Sequence, residues 1–389
     1  MQPLLPSAMR HEAATGILHW CDRYEGPFIP ARQQMLAEAL ARRVPVLTTR
    51  FVSSSRRPTV ERALDDRNGL TTVAVDFGAA ARLRPVRLRR HMTPLIARQL
   101  RAFARSIGVE RFVLYRVGHG PYSTLGLSPI ATIVDLIDPP FVENSLEQYR
   151  RSLPQMLKGA DLVTATARTL ADEARAAGYE VINVPNACQD VATVAPRRLS
   201  SRVGYLGTLD WRFDTRLVEQ VATSMPDVEF FFAGRQLDSM AREFSRLADL
   251  PNVVMPGVID FDETSRLLAT FDVGVIPFRR GFVGDSINPV KMYEYLAHGI
   301  PVVSTPIREC LELPELVTCP TSPEGWVSTL REALRSRDAE PMRRRRAWAA
   351  ANTWDVRAEQ MVRALVDKGS LAASAARQPI GATRIARSG

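Results

Sequence analysis

The chain has 389 residues, 46% of them hydrophobic and 24% charged, a balance that excludes a mainly disordered chain, a collagen-like fibre and a disulfide-stapled miniprotein. Its formal net charge is +9, nearly all from arginine. That favours an anionic partner: nucleic acid, a phosphate-bearing small molecule or an acidic membrane surface. No apolar run reaches the roughly 18–20 residues of a membrane span. The polar opening around Arg10, His11 and Glu12 lacks the apolar core of a signal peptide. Four cysteines, Cys21, Cys188, Cys310 and Cys319, have neither metal-ligand spacing nor a paired framework, which suits reduced thiols in a cytoplasmic protein.

In chain order, Ile17–Trp20 reads as a strand, Ala31–Arg43 as a helix with Met35, Leu36, Ala39 and Leu40 on one face, and Val44–Thr48 as a strand. Further strands are expected at Thr72–Val75, Phe112–Tyr115, Ile133–Ile137, Ala160–Thr166 and Val181–Val184. Helices are expected at Ile96–Ser106, Leu146–Met156 and Thr169–Ala177. The polar stretch Ala195–Arg202 then reads as a linker. The alternation restarts with strands at Val203–Leu206, Val228–Ala233, Val253–Met255, Val273–Pro277 and Pro301–Ser304. Between them lie helices at Thr215–Thr223, Ser239–Leu247, Glu263–Ala269 and Lys291–His298, the last stopped by Gly299. Repeated strand–helix alternation is the pattern of an α/β protein with two doubly wound parallel sheets. The expected divisions are a flexible start at 1–15, a first domain at 16–195, a second at 196–352, a helix at 353–368 and a disordered basic tail at 369–389.

Ligands of doubly wound sheets bind beyond the carboxyl ends of the strands. Gly204-Tyr-Leu-Gly207 ends one such strand, where backbone N–H groups at Gly207 suit phosphate oxygens and tight-turn packing is the equally weighted alternative. The segment from Phe278 to Glu294 holds Arg279, Arg280, two glycines and Asn288 before a helix with Pro289 at its first turn. Lys291 lies in that first turn, where the helix dipole disfavours a cation, so its presence suggests a compensating anion such as a diphosphate. Glu294, one turn on, either lines the same mouth or pairs with Lys291. Asp138 ends a strand just before Pro139-Pro140 and is a candidate general base, with a turn cap as the alternative. His19 is a rival base, and Asp135 is expected to point into the structure. Asp260 and Asp262 read as caps of the helix that follows. No Cys/His cluster suggests a metal, and none is expected.

The series Gly204-Tyr-Leu-Gly207, Val228–Gly234, Asn252–Gly257, Phe271–Phe278 and above all Asn288-Pro-Val-Lys-Met-Tyr-Glu-Tyr-Leu-Ala-His-Gly-Ile-Pro-Val-Val-Ser-Thr305 resembles the second domain of GT-B glycosyltransferases. The chain is similar to their bacterial teichuronic-acid-type branch and, more distantly, to the xanthan glucuronosyltransferase. The likeness is fainter over Arg32-Gln-Gln34, Ile133–Asp138, Ala160–Thr166 and Val184-Pro-Asn186, and returns at Thr353-Trp-Asp355. It implies two Rossmann-like domains facing a cleft, with the helix at 353–368 crossing back to the first. It also implies a nucleotide-diphosphate sugar, such as a UDP-sugar, as co-substrate, with no further cofactor. Glu294 would hold the ribose, Lys291 the diphosphate, and Gly257, Val258 and Ile259 the nucleobase. The loop Arg279–Asn288 would surround the phosphates, and Asp138 falls where the xanthan-type enzymes place their base. Retaining relatives carry a glutamate eight positions before Glu294; Ser286 stands there instead.

These readings describe a metal-independent glycosyltransferase of cell-envelope polysaccharide biosynthesis, cytoplasmic or peripheral at the inner membrane face. Its acceptor would be a saccharide or a lipid-linked saccharide. The block Arg82, Arg84, Arg87, Arg89, Arg90 would touch anionic lipid or a lipid-linked diphosphate. The alternatives are a nucleotide-sugar epimerase on the same scaffold and a non-catalytic nucleotide-sugar-binding partner. Nucleic acid is disfavoured, because neither this block nor Arg343–Arg346 has interleaved aromatics.

Overall fold

A computed structural model describes residues 15–21, 32–52, 59–62, 70–76, 89–117, 126–138, 145–189, 201–336 and 338–373. The first lobe is an eight-stranded sheet in the order β3-β4-β2-β1-β5-β6-β7-β8. Its strands are β1 (Thr15–Cys21), β2 (Val46–Val52), β3 (Thr59–Arg62), β4 (Leu70–Asp76), β5 (Arg111–Val117), β6 (Ala131–Leu136), β7 (Leu162–Ala165) and β8 (Val181–Asn183). All pairs are parallel except the edge pair β3–β4. The apolar runs Ile17-Leu18, Val113-Leu114 and Ile133-Val134 are buried on both faces, as parallel sheets covered by helices require. Those helices are α1 (Arg32–Ala41), α2 (Arg89–Ser106), α3 (Leu146–Met156) and α4 (Arg168–Ala176).

The second lobe is an all-parallel six-stranded sheet, β11-β10-β9-β12-β13-β14. It comprises β9 (Arg202–Leu206), β10 (Glu229–Ala233), β11 (Val253–Gly257), β12 (Val273–Ile276), β13 (Val302–Ser304) and β14 (Val317–Thr318). Its helices are α5 (Thr215–Thr223), α6 (Ala241–Ala248), α7 (Thr264–Leu268), α8 (Phe282–Asp285), α9 (Val290–Ala297), α10 (Arg308–Leu311), α11 (Pro323–Arg335) and α12 (Ala339–Ala350). Gly204 is required here by packing: a Cβ would lie 2.2 Å from the Phe271 ring. Gly204→Ala should therefore destabilise the protein by about 1–3 kcal/mol through overpacking, read as a lowered denaturation midpoint.

The chain returns to the first lobe through α13 (Trp354–Asp367). Trp354, Ala358, Met361, Val362 and Leu365 enter the same core as Leu36 and Leu40 of α1. Ion pairs Arg42–Asp355 at 2.9 Å and Arg43–Glu359 at 3.3 Å border that contact. At the crossing, Cys188 and Thr353 form a parallel bridge.

Three local expectations change. Thr15, expected in the flexible start, instead opens β1. The last ordered turn continues beyond 369: Leu371 is 6% exposed in the first-lobe core and its N–H donates to Leu365 O. Glu263, not Asp260 or Asp262, is the residue before α7, and Asp260 directly precedes the short 3-10 helix Phe261–Glu263. The basic block at 82–88 and the tail from 374 lie outside the described residues; of Arg89 and Arg90 only the helical backbone is described. Among the described residues no helix is long and apolar enough to cross a membrane.

Candidate functional site

The ends of β9, β10 and β11 carry Gly207, Gly234 and Gly257, all with φ in the left-handed region at 142°, 143° and 86°. The strand-end turns nest: Gly207 N–H donates to Ala233 O, and Gly234 N–H to Gly257 O. A Cβ on Gly234 would stand 2.0 Å from Gly207 O, so only glycine lets these turns approach. Beyond Gly257, Val258 is 44% exposed, a free apolar surface beside open backbone.

Lys291 reaches this edge from the first turn of α9. Its ammonium lies 4.8 Å from the Tyr205 ring centroid and 4.7 Å from that of Phe278. A Cβ built on Gly207 would be 3.3 Å from Nζ. Lys291 makes no hydrogen bond or ion pair among the described residues, and neither does the Glu294 carboxylate, so the two are not simply paired with one another. Burial, reinforced by the nearby Arg212 charge, lowers the Lys291 amine to about 8. Burial raises the Glu294 carboxyl, against the pull of Lys291. Two half-buried ionisable groups that form no ion pair among the described residues, with shifts led by burial, are candidates for ligand contact.

Arg212, which sequence reading did not single out, lies in the same place. Its guanidinium grips Asp210 through Nε at 3.0 Å and Nη2 at 2.5 Å. Its carbonyl accepts the Arg279 N–H at 2.7 Å. Its Nη1 stands 4.0 Å from Asp138 Oδ2. Asp138 follows β6 of the first lobe, so this pair spans the two lobes. The Arg279 and Arg280 side chains are exposed and, among the described residues, unpartnered. A signal for Arg212 was present: an arginine two residues after an aspartate, just past the strand-end Gly207.

His19 is placed differently from its expected role. It is 1% exposed within β1, stacked on Tyr115 with centroids 5.0 Å apart, and its Nδ1 meets Thr48 Oγ1 at 2.8 Å. Nε2 has no partner. Burial lowers the ring to about 4 despite the charge of Asp135, which makes it a poor proton acceptor at neutral pH. Asp135 points inward as expected: Arg32 Nε at 2.9 Å, Tyr115 Oη at 2.6 Å and Thr164 Oγ1 at 2.7 Å all donate to it. The Arg32 charge holds its carboxyl below the usual range against the cost of burial.

Asn288 also departs from expectation. It is 3% exposed; Oδ1 accepts the Asn186 N–H at 3.0 Å and Nδ2 donates to Glu309 Oε2 at 3.0 Å. Both ends of its amide are engaged by protein partners. The surrounding loop is not irregular throughout, because Phe282–Asp285 forms α8, and the Phe282 ring packs 5.6 Å from Tyr149 of the first lobe. Ser286 is fully buried, its Oγ donating to Phe282 O at 2.6 Å. Among the described residues no three His, Cys, Asp or Glu side chains cluster as metal ligands do.

Residues 201–336 match the family described as glycosyl transferases group 1. A teichuronic acid biosynthesis glycosyltransferase assigned in Bacillus subtilis (strain 168) is 25% identical over 181 residues, 42% of this chain and 46% of that protein. The chain thus matches about half the length of this curated relative. Among solved structures, Anabaena HepE in complex with UDP and glucose superposes with a TM-score of 0.63 at 14% identity, covering 90% of this chain and 99% of that one. The UDP-forming α,α-trehalose-phosphate synthase of Burkholderia vietnamiensis superposes with a TM-score of 0.64 at 13% identity, covering 91% and 100%.

Proposed function

We propose that this chain, whose fold is that of the GT-B glycosyltransferases, moves a sugar from a nucleoside-diphosphate sugar to a hydroxyl of a saccharide acceptor. The observation that carries the reading is Lys291: a half-buried ammonium that makes no ion pair among the described residues, held beside the Gly207 backbone at the carboxyl edge of a parallel sheet. A diphosphate supplies the missing charge. Glu294 takes the ribose hydroxyls, and the nucleobase rests on the apolar surface at Val258 and Ile259 beside Gly257.

In the reaction, Asp138 takes the proton of the acceptor hydroxyl. The oxygen bonds to the anomeric carbon, and the bond from that carbon to the diphosphate oxygen breaks, its electron pair leaving with the nucleoside diphosphate. Lys291, Arg279 and Arg280 stabilise the growing negative charge, so the reading is metal-independent. Attack assisted by a base on the face opposite the leaving group inverts the anomeric centre. The buried Ser286, where retaining relatives have a glutamate, agrees with inversion. The role of the bacillary relative supports a surface-polysaccharide acceptor, and the +9 charge supports a lipid-linked one at the inner face of the membrane.

A panel of nucleotide sugars tests this reading. The true donor should raise the melting temperature and release nucleoside diphosphate only when acceptor is added. Conversion of donor alone to an isomer would replace the transferase reading with an epimerase, and a panel without any stabilising member would remove it.

A further inference from the structure

The helix that carries Lys291 is fastened to the first lobe by a continuous chain of buried hydrogen bonds. Asn186, in the segment leaving β8, donates its N–H to Asn288 Oδ1 at 3.0 Å and its Nδ2–H to Asn288 O at 2.5 Å. Asn186 is itself held from behind, its Oδ1 accepting from Arg32 Nη1 at 3.2 Å, and Arg32 is locked to Asp135. On the other side Asn288 Nδ2 donates to Glu309 Oε2 at 3.0 Å, and Glu309 Oε1 accepts the Arg168 N–H at the start of α4 at 2.6 Å. Asn288 therefore joins the first lobe twice, directly through Asn186 and through Glu309. It stands three residues before Lys291, with only Pro289 and Val290 between them. Proline fixes its own φ, so little slack separates the clasp from the ammonium.

We infer that Asn288 is a positioning residue: its clasp to Asn186 and Glu309 fixes the first turn of α9 so that Lys291 meets the diphosphate. This rests on the donor reading above, and it assigns Asn288 a role through Lys291 instead of contact with phosphate. The polar pattern makes a specific demand. The position between Asn186 N–H and Glu309 must accept on one side and donate on the other, and both sites are too buried for water to substitute freely.

Asn288→Asp keeps the acceptor for Asn186 and removes the donor, setting two carboxylates face to face. Adding Glu309→Gln returns a donor from the other side, keeps the acceptor for Arg168 N–H and leaves one carboxylate in the pair. Titration with UDP, GDP and ADP, well below each variant's melting temperature, should show the preferred nucleotide bound at least about tenfold more weakly by Asn288→Asp, roughly 1.4 kcal/mol. The Asn288→Asp/Glu309→Gln double variant should return to within about threefold of the wild type. Hydrogen exchange of the 290–294 amides reads the clasp without nucleotide: faster in the single variant, restored in the double. Unchanged nucleotide affinity in Asn288→Asp, or a double variant no better than the single, overturns the clasp while leaving the donor reading intact. A wild type that binds none of the three nucleotides, yet shows the exchange pattern, overturns the donor reading and with it the positioning role.

Discussion

Lys291→Met should reduce transfer by roughly 100- to 1,000-fold, the usual cost of removing one charge-stabilising group from a transition state, and should weaken nucleoside-diphosphate binding. Methionine keeps an unbranched apolar stem for the Tyr205 and Phe278 rings and deletes only the charge. The same substitution should make the empty protein more stable. The amine is lowered from 10.5 to about 8, so between those values the unfolded chain holds more protons than the folded one and stability rises with pH. At neutral pH the charged amine thus costs the empty fold on the order of 3 kcal/mol, less whatever the two rings return. A residue retained for folding would behave oppositely. Diphosphate affinity should fall as pH rises above about 8, and calorimetry near pH 8 in buffers of different ionisation enthalpy should register proton uptake on binding. Uptake that persists in Lys291→Met would assign the proton to another group.

The parts of this fold open to sequence reading were those set by local rules. Apolar runs such as Val228–Ala233 alternate with helices because a strand buried on both faces needs them, and most of these elements appear within a residue or two of expectation. The helix expected at Ile96, however, starts at Arg89, and the strand expected to end at Thr48 runs to Val52. The strand β3 was not legible, since Thr59-Val-Glu-Arg62 offers one apolar residue and is held only by antiparallel pairing with β4. The helix α8 was hidden by Gly281 and Gly284. The latter is glycine because a Cβ there would stand 2.3 Å from Arg279 O, a packing reason that resembles a flexible loop. In the sequence Arg343–Arg346 is only a basic block without interleaved aromatics. Within α12, however, Arg345 donates to Gly299 O at 2.9 Å and Arg346 to His298 O at 3.4 Å. The run therefore covers the carbonyl end of the same helix that presents Lys291, where a cation is favoured by the dipole.

Lys291 and Glu294 stand out in the sequence because their oddity is local: a cation in a first turn and a carboxylate one turn on. Arg212 and Asn288 were misjudged for the same physical reason. The role of Arg212 depends on Asp138, and that of Asn288 on Asn186, each partner lying in the other lobe. No periodicity in one segment encodes a contact between two separately folded sheets. His19 shows the converse: a histidine at a strand end reads as a candidate base, whereas in the fold it is buried and stacked on Tyr115.

Asp138→Asn should lower turnover by roughly 100- to 10,000-fold, the range expected for loss of a general base, with nucleoside-diphosphate affinity unchanged within about twofold. The argument is geometric. Asp138 stands 4.0 Å from Arg212, which is itself tied to Asp210, so the carboxylate faces the second lobe, where the donor is proposed to bind, while belonging to the first. The asparagine amide preserves shape and polarity there but cannot take a proton. Arg212 distinguishes this from a purely electrostatic role. If Asp138 served only to orient Arg212, whose charge acts on Lys291 and would through it reach the diphosphate, Asp138→Asn would weaken diphosphate binding as Arg212→Gln is expected to, and the two losses would not add. If it is the base, Asp138→Asn should spare binding, whereas Arg212→Gln should impair binding and turnover together. His19→Phe supplies the control: neutral and buried, it should leave turnover within a few-fold of wild type. A loss there equal to that of Asp138→Asn would transfer the proton to the imidazole.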